Sequence, residues 1–250
     1  MLHRQIEIEQ GLKDAIENHQ LAIYLQPKYR ISDKSIAGYE ALVRWHHPRE
    51  GFISPGEFVP IAEKSSLGLE LDHYVLVRVF ELITSARATI RDFPPVAINI
   101  TPAHFSRVDF HKLVLAGIAD ANIPIESVEL EITEGAVMER SEEARQNLDA
   151  LRSQGVRIAI DDFGTGYSSL NYLRYLGIDD LKIDKTFVDE VLTEKGKIIV
   201  KSIIDIAAAH DIQVVAEGVE TAQQFELLRE MGCHLCQGYL LSRPLPVEEA

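Results

Sequence analysis

A set of polar residues interrupts apolar stretches of this chain: Gln26, Glu40, Asn99, Glu131, Asp161, Asp162, Lys182, Glu217 and Gln237. Five are carboxylates, one is a lysine, and none is a histidine or cysteine. A carboxylate directed into apolar surroundings is costly unless it is paired or coordinated. Oxygen donors without imidazole or thiolate suit a hard cation, Mg2+ or Mn2+, over Zn2+. The adjacent Asp161 and Asp162 could give one carboxylate to each of two ions, or bridge them. Two ions a few ångströms apart form the clamp used for in-line displacement at phosphorus. A single structural Ca2+ site and a salt-bridged rim are the competing readings of the same spacing.

These residues need elements to bring them together. Eight short runs read as strands: Leu21–Tyr29, Ser35–Val43, Val96–Ile100, Ser127–Ile132, Val156–Ile160, Asp180–Ile183, Ile212–Ala216 and His234–Gly238. Helical stripes lie between most of them, as in Leu71, Val75, Val79 and Leu82, or Ile199, Ile203 and Ile206. Glu143–Ser153 and Ala222–Met231 also read as helices, closed by Gly155 and Gly232. Eight strands alternating with helices is the arithmetic of an α/β (β/α)8 TIM-like barrel, with a doubly wound open sheet as the competitor. In the barrel, the polar residues collect at the C-terminal ends of the strands. Too few residues separate the first two strands for a parallel crossover, so they must form an antiparallel hairpin. A turn centred on Asp33 sets Glu40 opposite Gln26, within a residue of register. Trp45 to Pro95 then holds a loop and at least two helices.

Length and charge set the outer bounds. Two hundred and fifty residues without a Pro- or Ser-rich linker read as a single domain, residues 1–250. Residues 1–16 look like the tail of a helix connecting to an upstream domain. A net charge of −14 argues against a nucleic-acid polymer or an anionic membrane surface as partner. There is no signal-peptide core and no apolar run long enough for a membrane span, so a cytoplasmic setting is expected. Cys233 and Cys236 have redox-motif spacing but lie in the predicted final strand without partner ligands, so no redox or zinc role is expected of them.

At the same residues the sequence resembles the EAL-domain family of bacterial cyclic di-GMP phosphodiesterases. The signature stands as Glu40-Ala41-Leu42, joined by Gln26-Pro27, Asn99, Glu131 within Glu129–Glu134, Asp161–Leu170, Lys182-Ile183-Asp184, Glu217–Glu220 and Gln237-Gly238-Tyr239. The resemblance runs from about Leu12 to Pro246. It implies hydrolysis of cyclic di-GMP to linear pGpG with two Mg2+ or Mn2+ ions. Glu40, Asn99, Glu131 and Asp161 match the family's metal ligands, with Asp161 and Asp162 serving the second ion. Lys182 matches the lysine that positions water and phosphate. Glu217 matches a metal-site glutamate proposed as general base, and Gln237 a glutamine supporting that site. Gln26, Leu42 and Arg44 match positions that contact the dinucleotide. Glu134 matches an anchor for the Asp161–Leu170 loop, which the family uses to couple the metal site to a homodimer interface. Glu220 reads either as part of the substrate site or as a helix N-terminal charge beside Thr221. Family domains of this kind commonly follow sensory or cyclase domains.

Two departures from the family pattern are mild: Thr101 after the asparagine, and Lys28 where apolar residues are common. Neither is expected to touch a ligand. Seen alone, Gly164 and Gly166 serve a tight turn before a helix capped by Ser168 or Ser169, since no P-loop lysine follows. His46-His47-Pro48 reads as a solvated loop, and Trp45 as packing at the loop base or a stacking surface for guanine. A catalytically silent cyclic di-GMP receptor is the competing function, but every matched ligand keeps its chemical type. A carbon-acid enzyme with Lys182 as base is a third reading, opposed by Gln26, Arg44 and the Asp161–Leu170 matches. Five rim carboxylates and one lysine leave four negative charges, which two divalent ions would neutralise.

Overall fold

A computed structural model describes residues 2–138, 141–164 and 177–250. Eight strands close into a barrel: β1 (Leu21–Arg30), β2 (Ile36–His47), β4 (Val96–Ile100), β5 (Val128–Thr133), β6 (Arg157–Phe163), β7 (Asp180–Ile183), β8 (Gln213–Ala216) and β9 (Leu235–Cys236). Strand β1 is antiparallel to both its barrel neighbours, β2 and β9, and the other barrel pairs are parallel. Two short strands lie outside the eight expected: β3 (Gly51–Ile53) on β2 and β10 (Leu245–Pro246) on β1.

The β1–β2 turn forms for a local reason. Asp33 accepts hydrogen bonds from the Ser35 backbone N–H at 2.9 Å and its hydroxyl at 2.7 Å, and Lys34 takes a left-handed φ of 59°. That turn sets the register, and Gln26 pairs with Glu40 as expected. Strand β2 runs four residues beyond the sequence expectation, because Trp45, His46 and His47 pair with β3. The two histidines are therefore strand residues and not a solvated loop. Trp45 is buried edge-on against Phe58, which leaves it no face for a base.

The alternation of β5 organises the interior. Val128, Leu130 and Ile132 are buried hydrophobic residues on one face, while Glu129 and Glu131 occupy the other and meet lysines across the barrel. The helices Leu67–Arg87, Glu142–Gln154 and Glu194–Ala208 bury Leu76, Leu151 and Ile204 in the surrounding hydrophobic layer. The first helix, Leu2–Glu17, joins that layer through Ile8, Leu12 and Ala15. Among the described residues, no helix is long and apolar enough to cross a membrane.

Candidate active site

Gln26 and Glu40 face each other within the β1–β2 hairpin, and the other expected rim residues lie toward or just past the C-terminal ends of the parallel strands. Asn99 lies near the end of β4, Glu131 in β5 and Asp161 in β6. Lys182 is in β7, while Glu217 and Gln237 follow directly on β8 and β9. A cleft of about 310 Å3 opens among Gln26, Glu40, Asp161, Lys182, Glu217 and Gln237. Glu220, Lys185 and Tyr239 stand at its edge. Leu42 and Arg44 follow Glu40 at two and four residues, on the same face of β2, and lie outside the cleft lining. The Arg44 guanidinium lies over the Tyr24 ring at 5.7 Å.

Lys182 is the hub. It is only 1 % exposed, and its Nζ lies 2.7 Å from Glu131 Oε2 and 2.7 Å from Glu217 Oε1. Asp161 Oδ1 stands 3.3 Å away and Glu40 Oε2 3.6 Å away. The amides complete the ring: Asn99 Nδ2 donates to Glu40 Oε1 at 2.8 Å, and Gln237 Nε2 donates to Glu40 Oε2 at 2.7 Å and Gln26 Oε1 at 2.9 Å. Gln237 Oε1 is buried without a hydrogen-bond partner among the described residues.

One ammonium cannot neutralise this many acids. Burial and the neighbouring Glu131 push the Glu40 carboxyl above its ordinary range. Burial, with Asp161 and Glu40 nearby, pushes Glu217 up to about 8 against the pull of Lys182. Burial acts the same way on Glu131, but Lys182 and Lys28 together hold it at about 2. The upward push on Glu40 and Glu217 marks a place where positive charge is lacking. The donors are carboxylate and amide oxygens, which fit a hard cation. Among the described residues no three Asp, Glu, His or Cys side chains converge tightly enough on one point to hold an ion, and the Lys182 ammonium stands between the acids.

Asp161 and Asp162 sit where the β6 register shifts, and Asp162 takes a left-handed φ of 55°. That conformation is unusual outside glycine, and it sends the two neighbouring carboxylates in different directions. Asp161 reaches Lys182, whereas Asp162 is exposed. Glu134 accepts a hydrogen bond from the Gly164 N–H at 3.2 Å, tying the end of β5 to the turn after β6. Gly166, Ser168 and Ser169, with the rest of the loop expected to couple to a dimer, lie outside the described residues. Cys233 and Cys236 are free and buried, and burial pushes both thiols up to about 12, which leaves them unreactive.

The expectation for Lys28 is overturned. Its side chain is buried in the barrel, 2.9 Å from Glu131 Oε1 and 2.6 Å from Glu129 Oε1, so it touches a candidate ligand directly. The charge count of the rim must therefore include it. Period-two spacing from Gln26 was the available signal. Asp72 was also missed: its Oδ2 accepts from the Thr101 N–H at 2.9 Å and Oγ at 2.7 Å, anchoring the chain two residues beyond Asn99. Lys185, which meets Glu220 at 3.1 Å across the edge of the cleft, had only its proximity to Lys182 to mark it.

The EAL-domain sequence pattern matches residues 9–244. The chain belongs to the EAL-domain family. Over 245 residues this EAL domain is 38% identical to the cyclic di-GMP phosphodiesterase NbdA of Pseudomonas aeruginosa, covering 98% of this chain and 31% of that protein. The domain thus spans about a third of that relative's length. It superposes on the PaMucR phosphodiesterase in complex with c-di-GMP with a TM-score of 0.92 and 35% identity, covering 97% of this chain and 99% of the other. On the EAL enzyme Bd1971 in its cAMP- and cyclic-di-GMP-bound form the TM-score is 0.93, at 34% identity, with 98% and 67% covered.

Proposed function

We propose that this domain hydrolyses one phosphodiester bond of cyclic di-GMP, giving linear pGpG, with two Mg2+ or Mn2+ ions held at the carboxylate rim. The observation that carries the reading is the Lys182 cluster: four carboxylates within 4 Å of one ammonium, two of them pushed up toward protonation. Membership of the EAL family and the named relatives support the substrate. Glu40, Asn99, Glu131 and Asp161 would hold one ion, and Asp161, Asp162 and Glu217 the other. Once bound, such ions supply Lewis-acid polarisation of the phosphodiester and acidify water.

The chain's own groups do the rest. Lys182 places fixed positive charge where negative charge develops on phosphorus oxygens. Glu217 at the cleft is the group to take the proton from the attacking water. Arg44 offers a planar fork of donors to a phosphate, Gln26 and Gln237 offer amides, and Leu42 an apolar contact. Glu220, ion-paired with Lys185, borders the substrate cleft. The domain acts as a homodimer in a cytoplasmic setting and belongs to a longer protein carrying a sensory or cyclase domain, of which only the added length is supported by the relatives.

Incubation with cyclic di-GMP and Mg2+ or Mn2+, followed by chromatography, tests the activity. Accumulation of pGpG is expected. Tight binding of cyclic di-GMP in Mg2+ without turnover refutes catalysis and establishes a silent receptor.

A further inference from the structure

The helix Leu2–Glu17 touches the strand that carries Glu40, Leu42 and Arg44. At Gly11 its backbone lies so close to the Trp45 indole that a Cβ there would stand 3.2 Å from Cη2 and 3.3 Å from Cζ2. Carbon atoms in ordinary contact sit about 3.5–4.0 Å apart, so any side chain at this position must press on the ring. Glycine weakens a helix interior, and here it makes room for the indole. Trp45 has little freedom to yield. It is 1 % exposed, and Phe58 and His47 each stand edge-on to its ring at 5.6 Å. Its backbone is paired on both sides, to Leu21 of β1 and to Ile53 of β3. A second tether lies about two turns earlier on the helix. Arg4 pairs with Glu50, in the turn between β2 and β3, at 2.5 Å and with Glu57 at 2.8 Å.

Side chains alternate along a strand, so Trp45 faces the helix while its neighbour Arg44 lies on the opposite face, with Leu42 and Glu40. Arg44 is half-buried there, over the Tyr24 ring, and its Nη1 donates to the Val43 carbonyl at 2.9 Å. Close-packed interiors transmit a displacement more readily than they absorb it. A shift of the indole therefore becomes a shift of β2 at Arg44. We propose that Trp45 is a positioning residue: seated by the first helix at Gly11, it fixes Arg44 beside the substrate cleft, so the packing of that helix sets the affinity for cyclic di-GMP. The inference rests on the reading of Arg44 as a phosphate contact.

The test is steady-state kinetics of pGpG formation by wild type, Gly11→Ala, Gly11→Ala/Trp45→Phe and Arg44→Ala. Alanine is the stronger helix former, so Gly11→Ala keeps the helix and only presses on the indole. A displacement of a few tenths of an ångström at Arg44 is expected to raise KM about fivefold and leave kcat within about twofold, the pattern of lost ground-state binding. The smaller phenyl ring of the double variant removes the crowded carbons and is expected to return KM to within about twofold of wild type. Gly11→Ala with a wild-type KM, or with kcat lowered as much as KM is raised, overturns the proposal, as does a double variant no better than Gly11→Ala. Trp45 is the only tryptophan in the chain, so its fluorescence reads this contact in the wild type itself. On mixing with cyclic di-GMP and Mg2+, emission is expected to change in the binding phase, before pGpG accumulates. Turnover with flat emission overturns the proposal however the variants fold. A wild-type KM in Arg44→Ala refutes the phosphate contact, and absence of wild-type turnover refutes the phosphodiesterase reading; either takes this inference with it. A raised KM in Arg44→Ala beside an unchanged one in Gly11→Ala refutes this inference alone.

Discussion

Replacing Lys182 with methionine isolates the charge balance of the rim. The side chain is fully buried and keeps Glu131, Glu217, Asp161 and Glu40 within 4 Å of one positive charge. Methionine fills a similar volume but leaves those carboxylates facing one another, with Lys28 the nearest remaining cation on Glu131. Removing one partner from a buried ion cluster costs about 3–5 kcal/mol. For a domain of this size each kcal/mol lowers Tm by about 2–4 °C, so metal-free Lys182→Met should melt roughly 6–20 °C below wild type. Divalent cations should then recover stability, because the ammonium no longer competes for the same oxygens. At about one hundred times its Kd, Mg2+ returns about 2.7 kcal/mol, half or more of the loss. Near-UV circular dichroism melts in EDTA and in excess Mg2+ measure both effects, and pGpG formation should be lost in either condition. A metal-free Tm equal to wild type, or an Mg2+ shift no larger than the wild type's, would show that the four carboxylates do not depend on Lys182.

Other expectations follow from the same geometry. Glu40→Ala removes the carboxylate shared by Asn99, Gln237 and Lys182 and should abolish pGpG formation; near-normal turnover by chromatography refutes its assignment as a ligand. Glu134→Ala frees the Gly164 N–H, three residues beyond Asp161, and should weaken Mg2+ binding although Glu134 is no ligand; an unchanged calorimetric Kd rejects this coupling. Asp180 is buried, and burial together with Glu129, against the pull of Arg157, pushes its carboxyl up to about 6. Between pH ~4 and ~6 the folded chain therefore holds a proton that the unfolded chain has released, so this group's contribution to stability falls as pH rises through that window. Asp180→Asn, which mimics the protonated form, should match wild type near pH 4 and exceed it above pH 6 by up to about 3 kcal/mol. A stability gap in urea denaturation that stays constant across this range contradicts the sign.

Much of the fold was legible because its signals are local. The Asp33–Ser35 turn and the shortness of the connection forced β1 and β2 into a hairpin, and that hairpin set Gln26 against Glu40. The boundaries that moved did so through pairing between segments. His46 and His47 are strand residues because Gly51–Ile53 folds back on them, which no propensity of the two histidines announces. The two thiols kept their bland reading, since burial raises them out of reach of redox chemistry.

By itself the sequence determined which residues carry chemistry and on which face of each strand they lie, because side-chain alternation is a property of a few neighbouring residues. The acids of Val128–Thr133 had to share one face wherever the strand was placed. Only the closed barrel decided their company. Lys28 lies about one hundred residues from Glu129 and Glu131, and it meets both because β1 runs antiparallel between β2 and β9 and turns that residue inward. Lys182 likewise becomes a hub only when residues from four different strands and their ends surround it. Electrostatic balance is a sum over neighbours in space, so the proton affinity of these acids and the demand for positive charge belong to the tertiary structure.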